Sequence, residues 1–313
     1  MTKVSLIINP ISGPSRRGSG VERVALATRA FERLGAKADI RLTERGGHAH
    51  ELAAEAAVAG AELVIVWGGD GTMNEVARAL VQRAESTHYE GRDVGRDFSR
   101  ATALPALGII PGGSGNGLAR ELGIPFNPAQ AIERALRAPV RYVDAGELGD
   151  RLFFNVAGIG LDAHVAALVS TGIHHRGLLP YLKASAGDLL RYAPIDYTIT
   201  ADGHTSQVSA LVVALANSKQ WGFGAEVAPH ASLDDGFLDL VMVEDRKFFG
   251  NMVRIPSLFL GRLHQQKGIK ASRVRELTIR SREAMLFHVD GEAVQGSDTL
   301  IARVHPGALR LRA

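Results

Sequence analysis

Two glycine-rich stretches of the sequence carry groups that could bind a phosphorylated ligand. The first, Gly68-Gly69-Asp70-Gly71-Thr72, follows an apolar run at residues 63–67 and precedes a helical pattern that begins at Met73. The second, Pro111-Gly112-Gly113-Ser114-Gly115-Asn116, follows an apolar run at residues 107–110. Glycines let a backbone approach a ligand closely, and free N–H groups at a helix start attract an anion. Two such loops in one α/β unit favour a phosphate site over two ordinary strand-to-helix turns.

Individual groups in these loops suit a phosphate in different ways. Backbone N–H groups or side-chain donors that can bind phosphate oxygens come from Gly69, Gly71, Thr72, Gly113, Ser114 and Asn116. Asp70 would repel a phosphate, so we expect it to hold a cation or to orient the reacting groups. The alternative is that Asp70 only caps the helix that follows.

Further acidic residues occur near the end of the chain. Asp290 and Glu292 flank Gly291 after a predicted strand at residues 285–289. Two carboxylates at this spacing could perform acid–base chemistry, although spacing alone favours a solvated turn. Asp234-Asp235-Gly236 is typical of a turn between strands, and His174-His175, without a third ligand, indicate a loop rather than a metal site.

Size and composition limit the function classes. The 313 residues are enough for two domains, and 46% hydrophobic and 22% charged residues are typical of a globular protein. The net charge of +3 and pI of about 9.3 suit an anionic ligand or surface, but no basic and aromatic array indicates nucleic acid. The absence of cysteine excludes disulfides, thiolate zinc sites and cysteine nucleophiles. No uncharged apolar run reaches the roughly 18 residues needed to span a membrane, so we expect a cytoplasmic protein, either free or on a membrane surface.

Hydrophobic periodicity divides the chain into two regions of different class. Strand-like and helical segments alternate at residues 4–8, 21–34, 38–42, 49–59, 63–67, 76–84, 107–110 and 128–137. This alternation predicts a parallel sheet with loops at the carboxyl ends of its strands. After Pro139 we predict a mostly antiparallel β domain with strands at 140–148, 152–156, 197–201, 207–215, 237–243 and 276–280. The pattern leaves open whether two short strands at 299–304 and 308–311 close this domain or return to the first. Residues 86–100 form a polar insertion with no assigned role, and helical patterns at 178–192 and 247–263 could pack in the core or meet lipid.

The order of six motifs resembles the lipid kinases that share the diacylglycerol kinase catalytic domain. The motifs are Asn9-Pro10-Ile11-Ser12-Gly13, Gly68-Gly69-Asp70-Gly71-Thr72 with Asn74-Glu75, Pro111 to Asn116 with Leu118-Ala119, Asn155 to Asp162, Asp234 to Asp239, and Val289-Asp290-Gly291-Glu292. The resemblance implies an α/β, three-layer Rossmann-like nucleotide-binding domain at residues 1–138 and a β-sandwich-like lipid domain at 139–302. It also implies an active site in a cleft between them, a C-terminal tail (303–313) that packs on the first domain, and ATP and Mg²⁺ as cofactors.

The same resemblance assigns roles to individual residues. It adds Asn9, Thr43, Gly68 and Asn74 to the nucleotide site. It makes Glu292 the general base on the lipid hydroxyl, with Asp290 assisting through magnesium or orientation, and the reverse assignment is open. It implies that Asp235 binds a structural magnesium ion together with the carbonyls of Ser232 and Phe237. It implies that Asp162 contacts the lipid head group.

The acceptor is the least determined part of this hypothesis. Ser114-Gly115-Asn116-Gly117 differs from the commonest bacterial pattern and is similar to the sphingosine kinase form. We expect an ATP-dependent kinase that phosphorylates a primary hydroxyl of diacylglycerol or a related lipid, with peripheral membrane contact, no nucleic acid partner and a homodimer allowed. The alternatives are a kinase of a soluble acceptor such as NAD, or a regulator that binds nucleotide or lipid without catalysis.

Overall fold

The computed structural model describes residues 2–13, 20–89, 104–170, 192–222 and 224–313. The chain forms two compact units, Met1–Val143 with Gly307–Ala313, and Asp144–Pro306. The sequence-based division lies after residue 138, with a tail from residue 303. The predicted helix at 178–192, except for Tyr192, as well as His174-His175 and residues 90–100 of the insertion, lies outside the described residues.

The first unit alternates strands with helices as predicted. Its elements are β1 (Val4–Ile8), α1 (Gly20–Arg33), β2 (Ala38–Leu42), α2 (His48–Val58), β3 (Leu63–Gly68), α3 (Asp70–Tyr89), β4 (Ala106–Pro111), α4 (Gly117–Glu121) and α5 (Pro128–Arg137). The strands pair in the order β2-β1-β3-β4, and all of these pairs are parallel. Every residue of β1, β3 and β4 is buried, as expected of parallel strands covered on both faces.

Four helices of this unit pack in two pairs, α1 against α5 and α2 against α3. Together with the buried strands, these pairs give the three layers that were predicted. Local chemistry fixes the helix ends: the Asn127 side chain accepts hydrogen bonds from the N–H groups of Ala129 and Gln130, and Pro128 occupies the first turn. Helix α3 begins at Asp70 rather than Met73, so Gly69 alone separates it from β3.

The second unit is rich in β-structure. Its elements are β5 (Val140–Leu148), which begins in the first unit, β6 (Arg151–Phe153), β7 (Val156–Gly160), α6 (Leu161–Ser170), β8 (Ile195–Ala201), β9 (His204–Ala210), β10 (Val212–Ala216), β11 (Gln220–Gly222), β12 (Ala225–Glu226), β13 (Leu238–Val243), α7 (Lys247–Phe259), a 3-10 turn (Leu263–Gln265), β14 (Ile269–Val274), β15 (Glu276–Arg280), β16 (Leu286–Val289), β17 (Glu292–Gln295) and β18 (Thr299–Arg312). The sequence prediction omitted β11, β12, β14 and β17 and the helices α4 and α6.

Two antiparallel sheets of this unit face each other. One has the order β14-β13-β10-β7-β16-β17, and the other contains β15, β8, β9 and the first part of β18. One apolar cluster contains residues of both sheets, with Ile159 and Phe287 from the first and Tyr197 and Ile279 from the second. This shared core confirms the predicted sandwich. Among the described residues, no helix is long and apolar enough to cross a bilayer.

Three strand predictions need correction. The segment 152–156 is two strands, because the N–H groups of Phe154 and Asn155 leave the ladder and bind Asp290. The segment 207–215 is also two strands, since β9 pairs with β8 in one sheet and β10 pairs with β7 in the other. The two terminal strands are a single strand, β18. Its first residues pair with β15 in the second unit, and Leu311 and Arg312 pair in parallel with β4 in the first.

Candidate active site

Three loops of the first unit meet at the carboxyl ends of β1, β3 and β4. The N–H of Gly112 donates to the carbonyl of Gly68 at 2.7 Å. A Cβ added at Gly69 would lie 3.1 Å from the Cα of Gly113, and one added at Gly113 would lie closer still to Gly69. The Asn9 amide donates to the Thr72 hydroxyl at 2.8 Å. The loops therefore touch through bare backbone, and a side chain at Gly69 or Gly113 would push them apart.

The second glycine loop is closed by its own side chain. The N–H of Gly113 donates to Asn116 Oδ1 at 2.8 Å, and Asn116 Nδ2 donates to the carbonyl of Gly113 at 2.7 Å. These bonds engage two of the predicted phosphate donors with each other. The Ser114 hydroxyl, in contrast, is buried and has no hydrogen-bond partner within the described residues. A buried unpaired hydroxyl beside glycine backbone fits a ligand with phosphate oxygens.

The start of α3 places the remaining residues of the first motif. Asp70 and Gly71 lie in the first turn, and the N–H of Met73 donates to the carbonyl of Gly69 at 3.0 Å. A carboxylate is favoured at this end of a helix by the helix dipole. Asp70 is half-buried, whereas Asn74 and Thr72 are buried. The position is compatible both with a cap and with a cation ligand, and the role of Asp70 stays a prediction.

Glu75 has a role that sequence reasoning did not assign. Its two carboxylate oxygens accept the N–H groups of Gly47 at 3.0 Å and Ala49 at 3.1 Å, which are the cap and the second residue of α2. Thr43, which belongs to the same β2-to-α2 connection, is buried, and its N–H donates to the carbonyl of Ile8 at 2.9 Å. Glu75 therefore fixes the loop of the predicted nucleotide residue Thr43 to helix α3.

Arg23 of α1 organises the loop after β1 and was also missed. Its guanidinium donates to the carbonyl of Asn9 at 2.6 Å and to the hydroxyl and carbonyl of Ser12 at 2.7 Å each. The same group lies 5.4 Å from the ring centre of Trp67, at cation–π distance. Burial lowers the pKa of Arg23, but an arginine keeps its charge at any physiological pH. The residue thus adds positive charge beside the three loops.

In the second unit, Asp290 is held by backbone donors. Its carboxylate accepts the N–H groups of Phe154 and Asn155 at 2.9 Å each and that of Val156 at 3.1 Å. The Asn155 side chain donates to the carbonyl of Gln220 at 2.7 Å. Charge-assisted bonds of this kind are strong, so they anchor the β16–β17 turn to the start of β7. This geometry is compatible with an orienting role for Asp290, and the role itself stays a prediction.

Within the described part of the chain, Glu292, unlike Asp290, is not held by hydrogen bonds to its carboxylate. It is exposed, it begins β17, and within the described residues its side chain makes no hydrogen bond. Its backbone pairs with Val289, so that Asp290 and Gly291 form the two-residue loop of a hairpin. Both loop residues have positive φ, 48° and 87°, the conformation of a type I′ turn. The carboxylate is therefore accessible at a rigid turn, as a base on a bound hydroxyl would need to be.

Asp162 lies at the start of α6 and is buried. Its Oδ1 accepts the N–H of Ala163 at 2.8 Å, and its Oδ2 lies 3.2 Å from His288 Nε2. His288 is two residues before Asp290, and its Nδ1 accepts the N–H of Gly291 at 3.3 Å. The structure thus brings Asp162, Asp290 and the Glu292 turn together around a histidine that the sequence analysis did not single out.

The predicted magnesium residues form a separate turn. Asp235 accepts the N–H of Phe237 at 3.0 Å and also bonds the Arg273 guanidinium, and the Ser232 hydroxyl donates to Asp234 at 2.8 Å. The described residues contain no group of three or more His, Cys, Asp or Glu arranged to hold a metal. Asp235 thus bonds Arg273 and its own turn, and the magnesium assignment of Asp235 with the Ser232 and Phe237 carbonyls stays a prediction.

Comparison with known families gives two matches that together span most of the chain. Residues 3–148 match the diacylglycerol kinase catalytic domain. Residues 155–313 match the YegS C-terminal NAD kinase beta sandwich-like domain.

Relatives and solved structures agree with these matches. A Chromohalobacter salexigens protein named probable lipid kinase YegS-like is 33% identical over 88% of this chain and 83% of its own length. A Pseudomonas fluorescens protein of the same name is 30% identical over 93% of this chain and 90% of its own length. A crystal structure of a diacylglycerol kinase from Bacillus anthracis superposes with a TM-score of 0.68 at 22% identity, covering 99% of this chain and 96% of that one. The last likeness shows the shared fold.

Proposed function

Because the chain belongs to the lipid kinase family defined by the diacylglycerol kinase catalytic domain and the YegS-type C-terminal domain, we propose that it transfers the γ-phosphate of ATP to a primary hydroxyl of diacylglycerol or a related lipid. The observation that carries this proposal is the meeting of three loops over glycine backbone, with the unpaired Ser114 hydroxyl among them. Phosphoryl transfer depends mainly on positioning and electrostatic stabilisation, which such loops provide.

In this proposal, residues of each unit have a separate role. In the first, the glycine loops and Ser114 bind the phosphates, and Arg23 contributes positive charge beside them. In the second, Glu292 accepts the proton of the acceptor hydroxyl, and Asp290 keeps the turn in place through its three N–H bonds. Magnesium, when bound, neutralises charge on the phosphates. Asp70 is the residue we propose to hold it.

A panel of acceptors tests the lipid assignment. The purified chain is incubated with labelled ATP and magnesium and with mixed micelles of one lipid at a time: diacylglycerol, monoacylglycerol, phosphatidylglycerol, ceramide or sphingosine. We expect label in diacylglycerol or in another lipid with a primary hydroxyl. Glu292→Gln serves as the matched control, because it keeps the shape of the side chain and removes the base. Equal labelling by this variant would remove Glu292 from the proposed chemistry.

A second candidate acceptor is NAD. The observation that favours it is the C-terminal family model, whose description names an NAD kinase beta sandwich-like domain. Against it stand the relatives, whose names refer to lipid kinases. The same assay includes NAD as an acceptor. Label that enters NAD and none of the lipids would replace the lipid proposal.

The metal and membrane proposals have their own tests. If Asp235→Ala leaves the magnesium dependence of the melting temperature unchanged, Asp235 with the Ser232 and Phe237 carbonyls is not a magnesium site. For peripheral binding, the test uses Phe259 and Leu260, which lie in the helical pattern 247–263 proposed to meet lipid and are 40% and 66% accessible. Sedimentation with anionic vesicles should fall when both are replaced by serine. A cytoplasmic location and a homodimer stay predictions.

A further inference from the structure

His288 is a buried polar residue inside an otherwise apolar strand. It is 5% exposed and lies in β16 between Phe287 and Val289, which are 1% exposed. Each of its ring nitrogens has a partner: Nε2 is 3.2 Å from Asp162 Oδ2, and Nδ1 accepts the Gly291 N–H at 3.3 Å. A buried histidine with both nitrogens bonded is fixed in orientation as well as in position.

These bonds determine the tautomer of the ring. An N–H group can only donate, so the Gly291 contact requires an unprotonated Nδ1. The ring proton of the neutral histidine then resides on Nε2, where it donates to the Asp162 carboxylate. Asp162 is itself oriented by the N–H of Ala163 at 2.8 Å. Asp162 therefore selects the tautomer that lets His288 hold the turn.

The space for this pair is provided by a glycine. Gly158 of β7 is the partner of His288 in the sheet register. A Cβ at Gly158 would overlap Asp162 Oδ2 and would lie 2.9 Å from His288 Nε2. An alanine at Gly158 would separate the two side chains, so the absence of a side chain there is a requirement of the pair.

We propose that His288 is a positioning residue of the kinase reaction. It holds the N–H of Gly291, the second residue of the hairpin loop, and thereby sets the direction in which Glu292 leaves the turn. Asp290 fixes the first loop residue through its three N–H bonds, and His288 fixes the second. This inference rests on the proposed function of Glu292 as the base.

Two substitutions, each of which keeps one of the two hydrogen bonds of His288, distinguish a role in positioning the turn from a purely structural role. In His288→Asn, the amide oxygen takes the place of Nδ1 and can still accept from Gly291, whereas the contact with Asp162 is lost. In His288→Gln, the side-chain amide takes the place of Nε2 and can still donate to Asp162, whereas the contact with Gly291 is lost. The measurements are kcat per folded enzyme, KM for ATP and the melting temperature, with labelled ATP and saturating lipid.

If His288 positions the turn, His288→Gln should lower kcat by about 10- to 100-fold, by analogy with the range seen when a hydrogen-bond partner of a metal ligand is removed. His288→Asn should stay within about threefold of the unmodified chain, with KM for ATP unchanged in both. If His288 served only the structure, the loss should be larger in His288→Asn than in His288→Gln, because His288→Asn leaves the buried carboxylate of Asp162 without its partner. Equal losses in both variants, or a larger loss in His288→Asn, would overturn the proposal.

A second criterion and a second variant keep the test decisive. If His288→Asn does not fold, His288→Gln decides alone, and a kcat within about threefold of the unmodified chain would overturn the proposal. Glu292→Gln reports on the proposed base independently of the order of the two His288 variants. Full activity in Glu292→Gln would refute the base assignment, whereas an inactive Glu292→Gln with the wrong order of His288 variants would refute only the positioning role.

Discussion

The two carboxylates of the Asp290-Gly291-Glu292 turn should respond to neutralisation in different ways. Asp290→Asn keeps the size of the side chain, and asparagine adopts the left-handed conformation at φ 48° as readily as aspartate does. The backbone therefore adds little to the effect. The substitution changes one carboxylate oxygen into an NH₂ group, which cannot accept a hydrogen bond.

The magnitude follows from the three N–H donors. If the remaining oxygen stays at the Oδ1 position, the bonds from Asn155 and Val156 persist and the bond from Phe154 is lost. Phe154 is fully buried, so its N–H would face an NH₂ group with no water nearby. Bonds to charged groups contribute about 1.5 to 3 kcal/mol, and an unsatisfied buried donor costs about 1 to 3 kcal/mol. Because these terms overlap, we expect a loss of about 2 to 4 kcal/mol in the free energy of unfolding.

The matched variant is Glu292→Gln, which neutralises the neighbouring carboxylate. Glu292 is exposed and has no side-chain hydrogen bond among the described residues, so its unfolding free energy should change by less than about 0.5 kcal/mol. Its kinase activity should fall, because the base is lost. Urea unfolding followed by circular dichroism gives the stabilities, and transfer of labelled phosphate to lipid gives the activities.

Two results would refute this reasoning. If Asp290→Asn unfolds within 0.5 kcal/mol of the unmodified chain, the three N–H bonds do not anchor the turn. If Glu292→Gln keeps full activity while Asp290→Asn, measured as folded enzyme, loses it, the base is Asp290 and the roles are reversed.

Three other positions give shorter tests by the same unfolding measurement. Gly113→Ala should destabilise by about 1 to 3 kcal/mol because its Cβ meets the Gly69 backbone, whereas Gly71→Ala, whose Cβ meets nothing within 4 Å, should not; equal effects would contradict the close approach. Tyr197→Phe should cost less than about 0.5 kcal/mol, since the buried hydroxyl, whose pKa is raised by burial, has no partner within the described residues; a loss above about 1.5 kcal/mol would reveal one. Glu75→Gln should cost about 1 kcal/mol by weakening the cap of α2; an unchanged stability would contradict that role.

The first unit could be predicted well because its signals are local. Apolar runs such as Val4–Ile8 and Leu63–Gly68 end at glycine or polar loops, and each became a parallel strand. The error at the start of α3 has a local cause as well. Glycine and aspartate are weak helix formers, yet Asp70 and Gly71 are helical. Both lie in the first turn, where the helix dipole favours the Asp70 carboxylate.

The second unit was harder because its breaks depend on distant partners. Residues 152–156 are apolar except for Asn155, and one polar residue does not by itself mark the interruption at Phe154 and Asn155. The partner that interrupts it is Asp290, 135 positions away from Asn155. The same holds for His288 and Asp162, which are 126 positions apart. The one available signal was a histidine inside the apolar run 285–289, and its significance depends on the strand register with Gly158.

From the spacing alone, Asp290-Gly291-Glu292 could be interpreted either as a solvated turn or as a catalytic pair of acids. The geometry shows that the two interpretations are compatible. A two-residue hairpin loop of type I′ requires positive φ at both residues, and Asp and Gly tolerate this conformation. The Asp290 carboxylate is directed at three N–H groups, so its lone pairs are already engaged and offer less to a substrate proton. Glu292, the first residue after the loop, is exposed at a turn that these bonds anchor. A solvated turn is therefore compatible with the proposed base, and the asymmetry between the two acids favours Glu292 over Asp290 for that role.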